Sequence, residues 1–498
     1  ENYKNYDFGL HSWNGEKVMV EFSSPNTNKP LHLGHLRNIF LGYSYAKILE
    51  ACGYDVIKAN LVNDRGIHIC RSMVAWLNYG EGKTPEFEGI KGDHFVGKYY
   101  VKFNEVYKRQ IADLVAGGMT EAEAEKEAPL QKEAVEMLRK WENNDKEAVA
   151  LWKKMNDWVF AGFDKSYDRM RVSFDKIYRE SETYLLGKKL VDEGLEKGLF
   201  YKKENGSVWT DLSEDGLDEK LLLRADGTSV YMTQDLGTAQ LKYDDYKIDQ
   251  SIYVIGDEQN YHMKVLKLIL QKLGKSYADG IYHLSYGMVE LPHGKMKSRE
   301  GTVVDADDMM SDMVNTAEKH TEELGKVRDF SEEELKTLYE TLGLGAMKFY
   351  LLRVDPKKRM VFNPEESIDF HGFTAPFIQY THARIQSIFR KENIQPQEFK
   401  VEISASKQIF HDYEKQVVLQ LELFPQALLE ACDERNPSVV AGYCYELAKT
   451  FNTFYNNLSV SNAESEEKKE LRLQLCLITA KVIKKGMGLL GIRVPDRM

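Results

Sequence analysis

The chain has 498 residues, 43% of them hydrophobic and 29% charged, and a formal net charge of −11. That length implies two to four folding units, and no apolar run reaches the roughly eighteen residues that a membrane helix needs. The acidic balance argues against indiscriminate nucleic-acid binding, yet 67 Lys and Arg can gather on one face for a specific RNA partner. Cys52, Cys70, Cys432, Cys444 and Cys476 form no Cys-x-x-Cys pair, so neither zinc nor a disulfide framework is expected and a reducing, cytoplasmic setting follows. The chain opens on Glu1 without a basic-then-apolar leader and is expected to be a piece of a longer one.

Val18–Phe22 predicts a buried strand, followed by the polar turn 23–29. After Pro30, Leu36, Ile39, Phe40 and Tyr43 mark one helical face that Gly53 stops, and 54–62 predicts a second strand. Strand, glycine-containing turn, helix and strand is the unit of parallel sheets that hold ligands at their strand ends. From about Lys83 to Trp209 the chain turns rich in Glu, Lys and Ala, with a capping box at Thr120 and Glu123, and predicts a helical insertion. Strands return at 251–255 and 281–289 around an apolar helix, 261–273. Ser331 and Glu334 open another capped helix, and from Phe377 the pattern is nearly all helical. There Asn436-Pro437 starts a helix whose stripe is Val440, Tyr443, Leu447, Phe451 and Phe454, and 464–470 is expected to be an exposed loop. The expected class is α/β, a parallel sheet split by a helical insertion and followed by an all-α region. Its divisions are 1–80, 81–215, 216–310, a helical connector over 311–375, and 376–498.

His32-x-Gly34-His35 falls at a helix start directly after a strand and turn. Unpaired N–H groups and the helix dipole favour phosphate there, and two imidazoles can donate to phosphoryl oxygens as charge builds. Gly34 would let a nucleotide lie against the backbone; capping histidines beside a packing glycine are the plainer alternative. Lys295-Met296-Lys297-Ser298-Arg299 follows a strand in the far half of the same sheet. Such a cationic loop can close over ATP, or be a solvated basic loop.

These two motifs resemble those of class I aminoacyl-tRNA synthetases, and their surroundings resemble arginyl-tRNA synthetases. Val20-Glu21-Phe22-Ser23-Ser24-Pro25-Asn26, Gln379-Tyr380-Thr381-His382-Ala383-Arg384-Ile385 and Leu489-Leu490-Gly491-Ile492 carry the likeness from about Lys17 to the C-terminus. The resemblance implies a Rossmann-like catalytic domain and an anticodon-binding domain over 376–498. It implies arginine activation with ATP and Mg²⁺, transfer to tRNA(Arg), a first step that requires tRNA, and an N-terminal domain gripping the tRNA elbow. A monomer is the default expectation. Catalytic roles fall on His32, His35, Lys29 and Lys297, and ATP contacts on His32, Gly34, His35, Lys295, Met296, Lys297 and Ser298.

Arginine contacts fall on Glu21, Ser23, Asn26, Tyr231, Asp235 and Gln259, where a planar guanidinium suits a carboxylate such as Asp235. A helix-cap or surface acid is the plainer alternative for Asp235. The loop departs from the family's Lys-Met-Ser-Lys-Ser in having Ser298 fourth, which leaves the phosphate contact open among Lys29, Lys295 and Lys297. Tyr380, His382 and Arg384 are the RNA candidates, and the stripe of 440–454 reads as core. Another class I aminoacyl-tRNA synthetase or a His-x-Gly-His nucleotidyltransferase, and a non-catalytic tRNA-binding paralogue, are the alternative functions.

Overall fold

The computed structural model describes residues 11–292, 304–323, 329–395 and 410–498. Eight of its strands build two sheets: β1 (Lys17–Glu21), β2 (Asp55–Val62), β3 (Lys176–Arg179), β4 (Phe200–Lys202), β5 (Val208–Thr210), β6 (Lys220–Leu223), β7 (Gln250–Gly256) and β8 (Ile281–Tyr286). The central sheet has the order β3-β2-β1-β7-β8, with every pairing parallel. Val18, Met19 and Val20 are wholly buried because helices cover both faces, which is why the inner strand is continuously apolar rather than alternating.

Helix α1 (Leu33–Ala51) crosses from β1 to β2. The chain then extends the sheet outward to β3 before returning to place β7 on the other side of β1. The order reverses between β1 and β7, so a crevice opens beyond their carboxyl ends, where open α/β sheets hold ligands.

The helical insertion is present as Gly92–Ala116, Glu121–Glu127, Pro129–Glu142 and Lys146–Met170, with the Thr120–Glu123 capping box in place. The stretch 81–215, expected to be mainly helical insertion, also carries strands. It returns to the main sheet as β3, and β4, β5 and β6 form a separate antiparallel sheet across the expected boundary at 215. Only Tyr178 of β3 is buried, so this short edge strand lacks the apolar run that would have revealed it.

The connector helix Glu332–Leu352 starts at the Ser331–Glu334 capping box. Its Lys348 is buried and donates to the carbonyls of Met170, at the end of the insertion, and of Gly491, near the C-terminus, at 2.6 and 2.7 Å. After the short helix Pro364–Ser367, the described residues continue as Ala375–Lys391, Asp412–Glu422, Phe424–Asp433, Pro437–Asn457 and Glu466–Leu489. Val440, Tyr443, Leu447, Phe451 and Phe454 are all core. The expected loop over 464–470 is instead a helix start. Ser465 caps it, accepting from the Lys468 N–H, and Glu466 and Glu467 in the first turn complement the helix dipole. Among the described residues no helix is long and apolar enough to cross a membrane, and the five cysteines are buried and free.

Helix α1 packs tightly against the exit of β1. A Cβ on Gly42 would lie 2.4 Å from the Phe22 side chain. Gly42→Ala is therefore expected to destabilise the fold by about 1–3 kcal/mol through overpacking, read as a lower urea midpoint with an unchanged m-value.

Candidate active site

The turn leaving β1 is the first component. Ser23 and Ser24 have φ of 77° and 45°, two consecutive non-glycine residues in the left-handed region. Three side chains hold them there. Asn38 of α1 accepts the Ser23 N–H at 2.5 Å and donates to the carbonyl of Val254 in β7 at 2.6 Å. Asn60 of β2 accepts the Ser24 N–H at 3.0 Å and donates to the Tyr167 hydroxyl at 3.3 Å. That hydroxyl lies 2.7 Å from Ser23 Oγ. Asn26 follows in a bridge to Asn63. Sequence reasoning singled out Ser23 and Asn26 but not Asn38, Asn60 or Tyr167, whose only sequence signal is polarity at positions otherwise reading as core.

His32 is the N-cap of α1, and its N–H donates to His35 Nδ1 at 3.1 Å. His35 therefore carries its proton on Nε2 as a donor. The centroids of the two rings lie 3.8 Å apart with their planes tilted by 31°. Burial, then Lys29, lowers His32 to about 4, and burial, then His32 and Lys29, takes His35 well below the ordinary imidazole range. Both are neutral at pH 7. Burial also lowers Lys29. The close neighbour of Gly34 is the His32 ring, whose atoms would lie 3.1 Å from an added Cβ, so the glycine first makes room for that histidine.

Tyr231 and Asp235 lie in the first turns of the helix Tyr231–Tyr246, which begins ahead of Asp235 and so leaves Asp235 no capping role. Tyr231 is 76% exposed. Asp235 Oδ2 accepts from His262 Nε2 at 2.5 Å. Gln259 is exposed, in the turn that leaves β7. Glu21, expected to face the substrate, is buried and paired at 2.5 Å with Lys242 of the same helix as Asp235, so it fixes that helix to β1.

Glu180 was not singled out from the sequence. Burial, with Asp64 and Asp235 adding to it against Arg65, pushes its carboxyl up to about 7. Asp64 is fully buried and accepts from Ser181 N and Oγ at 2.8 and 2.7 Å. Glu180 thus feels both Asp64 and Asp235, which lie far from it in the chain.

Lys295, Met296, Lys297, Ser298 and Arg299 lie outside the described residues. Val304 and Asp305 beyond them bridge back to the start of α1. Leu33 N donates to Val304 O at 3.3 Å, and Ala306 N to Leu31 O at 3.0 Å. Of the RNA candidates, His382 is only 1% exposed and donates from Nδ1 to the Pro495 carbonyl at 3.0 Å. It secures the C-terminal tail and offers no surface to RNA. Arg384 bonds Asn452 and lies over the rings of Tyr380 and Tyr455 at 4.9 and 5.1 Å.

This sheet order, with a His-x-Gly-His helix start at its switch point, defines a Rossmann-like nucleotide-binding catalytic domain of the class I synthetase type. The family model for the class I (R) tRNA synthetase catalytic domain matches residues 3–363, and that for the DALR anticodon-binding domain matches 378–498. The chain is 55% identical over 496 residues to an arginine–tRNA ligase of Amoebophilus asiaticus, covering 100% of this chain and 83% of that one. It is 55% identical over 485 residues to that of Bacteroides thetaiotaomicron, covering 97% and 80%. The arginyl-tRNA synthetase structure of Thermus thermophilus superposes with a TM-score of 0.83 at 25% identity, over 98% of this chain and 84% of that one. The chain belongs to the arginyl-tRNA synthetase family.

The Tyr167 hydroxyl touches both Ser23 and Asn60. Tyr167→Phe is expected to cost about 1 kcal/mol of stability and to raise the KM for the amino acid severalfold. Steady-state charging kinetics and denaturant unfolding on the same preparation check both.

Proposed function

We propose that this protein activates L-arginine with ATP, as its magnesium complex, and transfers it to the 3′ end of tRNA(Arg). The arginine carboxylate attacks the α-phosphorus, and the bond to the β-phosphate breaks to release pyrophosphate. A ribose hydroxyl of the terminal adenosine then attacks the acyl carbon, and AMP leaves. No side chain acts as a covalent nucleophile; positioning and charge stabilisation carry the rate.

The observation that supports this reading best is that one crevice has a phosphate-suited side and a cation-suited side. On the first, the start of α1 offers backbone N–H groups and the neutral His32 and His35, with His35 Nε2–H a donor. Lys29 and Gly34 belong to the same side, and Lys295, Met296, Lys297 and Ser298 are assigned to it from the sequence. On the second, Asp235 is the guanidinium partner, with Tyr231 beside it, Glu180 and Asp64 supplying negative potential, and Ser23, Asn26 and Gln259 toward the amino-acid head. Glu21 is assigned a positioning part through Lys242. Tyr380 and Arg384 remain the tRNA candidates of the helical domain.

Arginine-dependent exchange of pyrophosphate into ATP, with and without tRNA and with lysine as control, tests the reading. Exchange with arginine alone among the amino acids supports it. Exchange driven equally by other amino acids would point to a different synthetase, and tRNA binding without exchange to a non-catalytic paralogue. Asp235→Asn is expected to raise the arginine KM by at least about a hundredfold, as loss of a charged partner costs about 3 kcal/mol or more, while the ATP KM moves little.

A pH dependence follows from Glu180. Its carboxyl, raised to about 7 in the free protein, is favoured in the ionised form when a guanidinium arrives. Arginine binding therefore releases a proton, and the arginine KM is expected to fall as pH rises from about 6 to about 8. Glu180→Gln should flatten that profile; a profile that keeps its slope would remove Glu180 from the site.

A further inference from the structure

We infer that Lys91 and His94, at the start of the insertion helix Gly92–Ala116, are positioning residues for the ATP half of the site, acting through Asp305 and Asp307 on the backbone bridge that seats His32. The bridge consists of Leu31–Leu33 on one side and Val304–Ala306 on the other. Asp305 belongs to it through its backbone. Its Oδ1 accepts from the N–H groups of Asp307 and Asp308 at 2.8 and 3.2 Å, so it also starts the helix Ala306–Glu323. The other oxygen, Oδ2, meets His94 Nε2 at 3.2 Å, and the same nitrogen lies 3.2 Å from Asp307 Oδ2.

Lys91 reaches into the same cluster. Its ammonium contacts Asp307, lies 2.6 Å from Ser166 Oγ and 3.2 Å from Asp93, which is wholly buried. Ser166 in turn donates to Asp307 Oδ1 at 3.0 Å, and Arg169 donates to the Asp307 carbonyl at 3.3 Å. Hydrogen bonding to Asp305, then to Asp307, pushes His94 up to about 10, so it stands as an imidazolium. Burial opposes ionisation of Asp307, yet His94 and Lys91 hold it well below the usual carboxylate range.

Two features make this arrangement more than a surface ion pair. The insertion helix also touches the segment before the bridge, since a Cβ on Gly97 would lie 2.8 Å from Pro30 Cδ and 3.6 Å from the Lys29 Cα. One helix therefore backs both the residues that precede His32 and the residues that pair with it. The charges are also largely withdrawn from solvent, with Asp93 wholly buried. Removing a cation would free Asp305 and Asp307 to move, and with them the bridge. Asp93, His94 and Asp307 place ligand-type atoms within 4.8 Å of one another, as a metal site would. Lys91 already supplies the cation there.

The proposal rests on the arginine-charging reading, and steady-state charging of tRNA with arginine, ATP and tRNA varied in turn tests it. His94→Ala is expected to raise the ATP KM about tenfold and lower kcat about tenfold, the range seen when groups that orient a site's contacting residues are removed. The arginine KM should stay within about twofold. His94→Gln, whose amide can still donate to a carboxylate, should recover part of the loss and serves if His94→Ala unfolds. Lys98→Ala, a change on the same insertion helix that breaks the pair of an exposed lysine with Glu88 of the preceding turn, should change neither KM. Equal rises in both KM values, no change in either, or the same effect from Lys98→Ala would each overturn the proposal. So would a Zn²⁺-dependent gain in melting temperature that Asp307→Asn abolishes. Wild-type protein that fails to charge tRNA with arginine would instead defeat the underlying functional reading.

Discussion

Ser23 and Ser24 leave β1 in a conformation that side chains other than glycine avoid, at a cost of about 1–3 kcal/mol each. The turn persists because Asn38, Asn60 and Tyr167 over-determine it, and those three come from α1, β2 and the insertion. The same Asn38 reaches Val254 in β7 and, at 3.2 Å, the Tyr286 hydroxyl at the end of β8. One buried amide thus ties the turn after β1 to the carboxyl ends of β7 and β8, at the mouth of the crevice. The position of His32 follows, because Asn26 is bridged to Asn63 and the chain has few residues left before α1 begins.

Around this turn the protein pairs its own buried charges before any substrate arrives. Glu21 is held by Lys242, Asp64 by Ser181, Asp235 by His262, and Asp305 and Asp307 by Lys91 and His94. The two histidines at the α1 start are neutral. Little reorganisation is then needed when ligands bind, since donors and acceptors already point in fixed directions. In a site of low dielectric such fixed dipoles are worth more than mobile ones.

Periodicity and local chemistry made part of this legible in the sequence. The β1–α1–β2 unit, both capping boxes and the Asn436-Pro437 helix start are written within a few residues of one another, and the structure has them. The edge strand β3 was not legible, because a strand with one buried residue carries no periodic signal. Glu180 escaped for a different reason. Its raised carboxyl depends on Asp64 and Asp235, which meet it only after the sheet has formed. The motif Gln379–Ile385 shows the opposite failure, in which a family likeness is plain but the role is not. Gln379 is fully buried and donates to the carbonyls of Thr341 and Arg493 at 3.2 and 2.7 Å, and His382 holds Pro495. These residues close the C-terminal tail onto the connector helix, a task that the sequence does not distinguish from RNA contact.

The acids around Asp235 also bear on how arginine is told from lysine in the proposed site. Asp235 already gives one oxygen to His262 at 2.5 Å, so an incoming cation must either share that oxygen or turn to the other. A guanidinium spreads five donors over a rigid plane and can address Asp235 and a second acid at once. An ammonium is a compact point charge on a flexible stem, and satisfying Asp235 would leave Glu180 without a partner. Because Glu180 is raised to about 7 by burial, a cation that reaches it favours its ionised form, and an ammonium held at Asp235 would forgo most of that second charge interaction. Discrimination would then reside less in any one contact than in whether the ligand can ionise the second acid, and buried groups left unpaired are what reject a near-isostere. Such a site needs no separate editing step to exclude lysine.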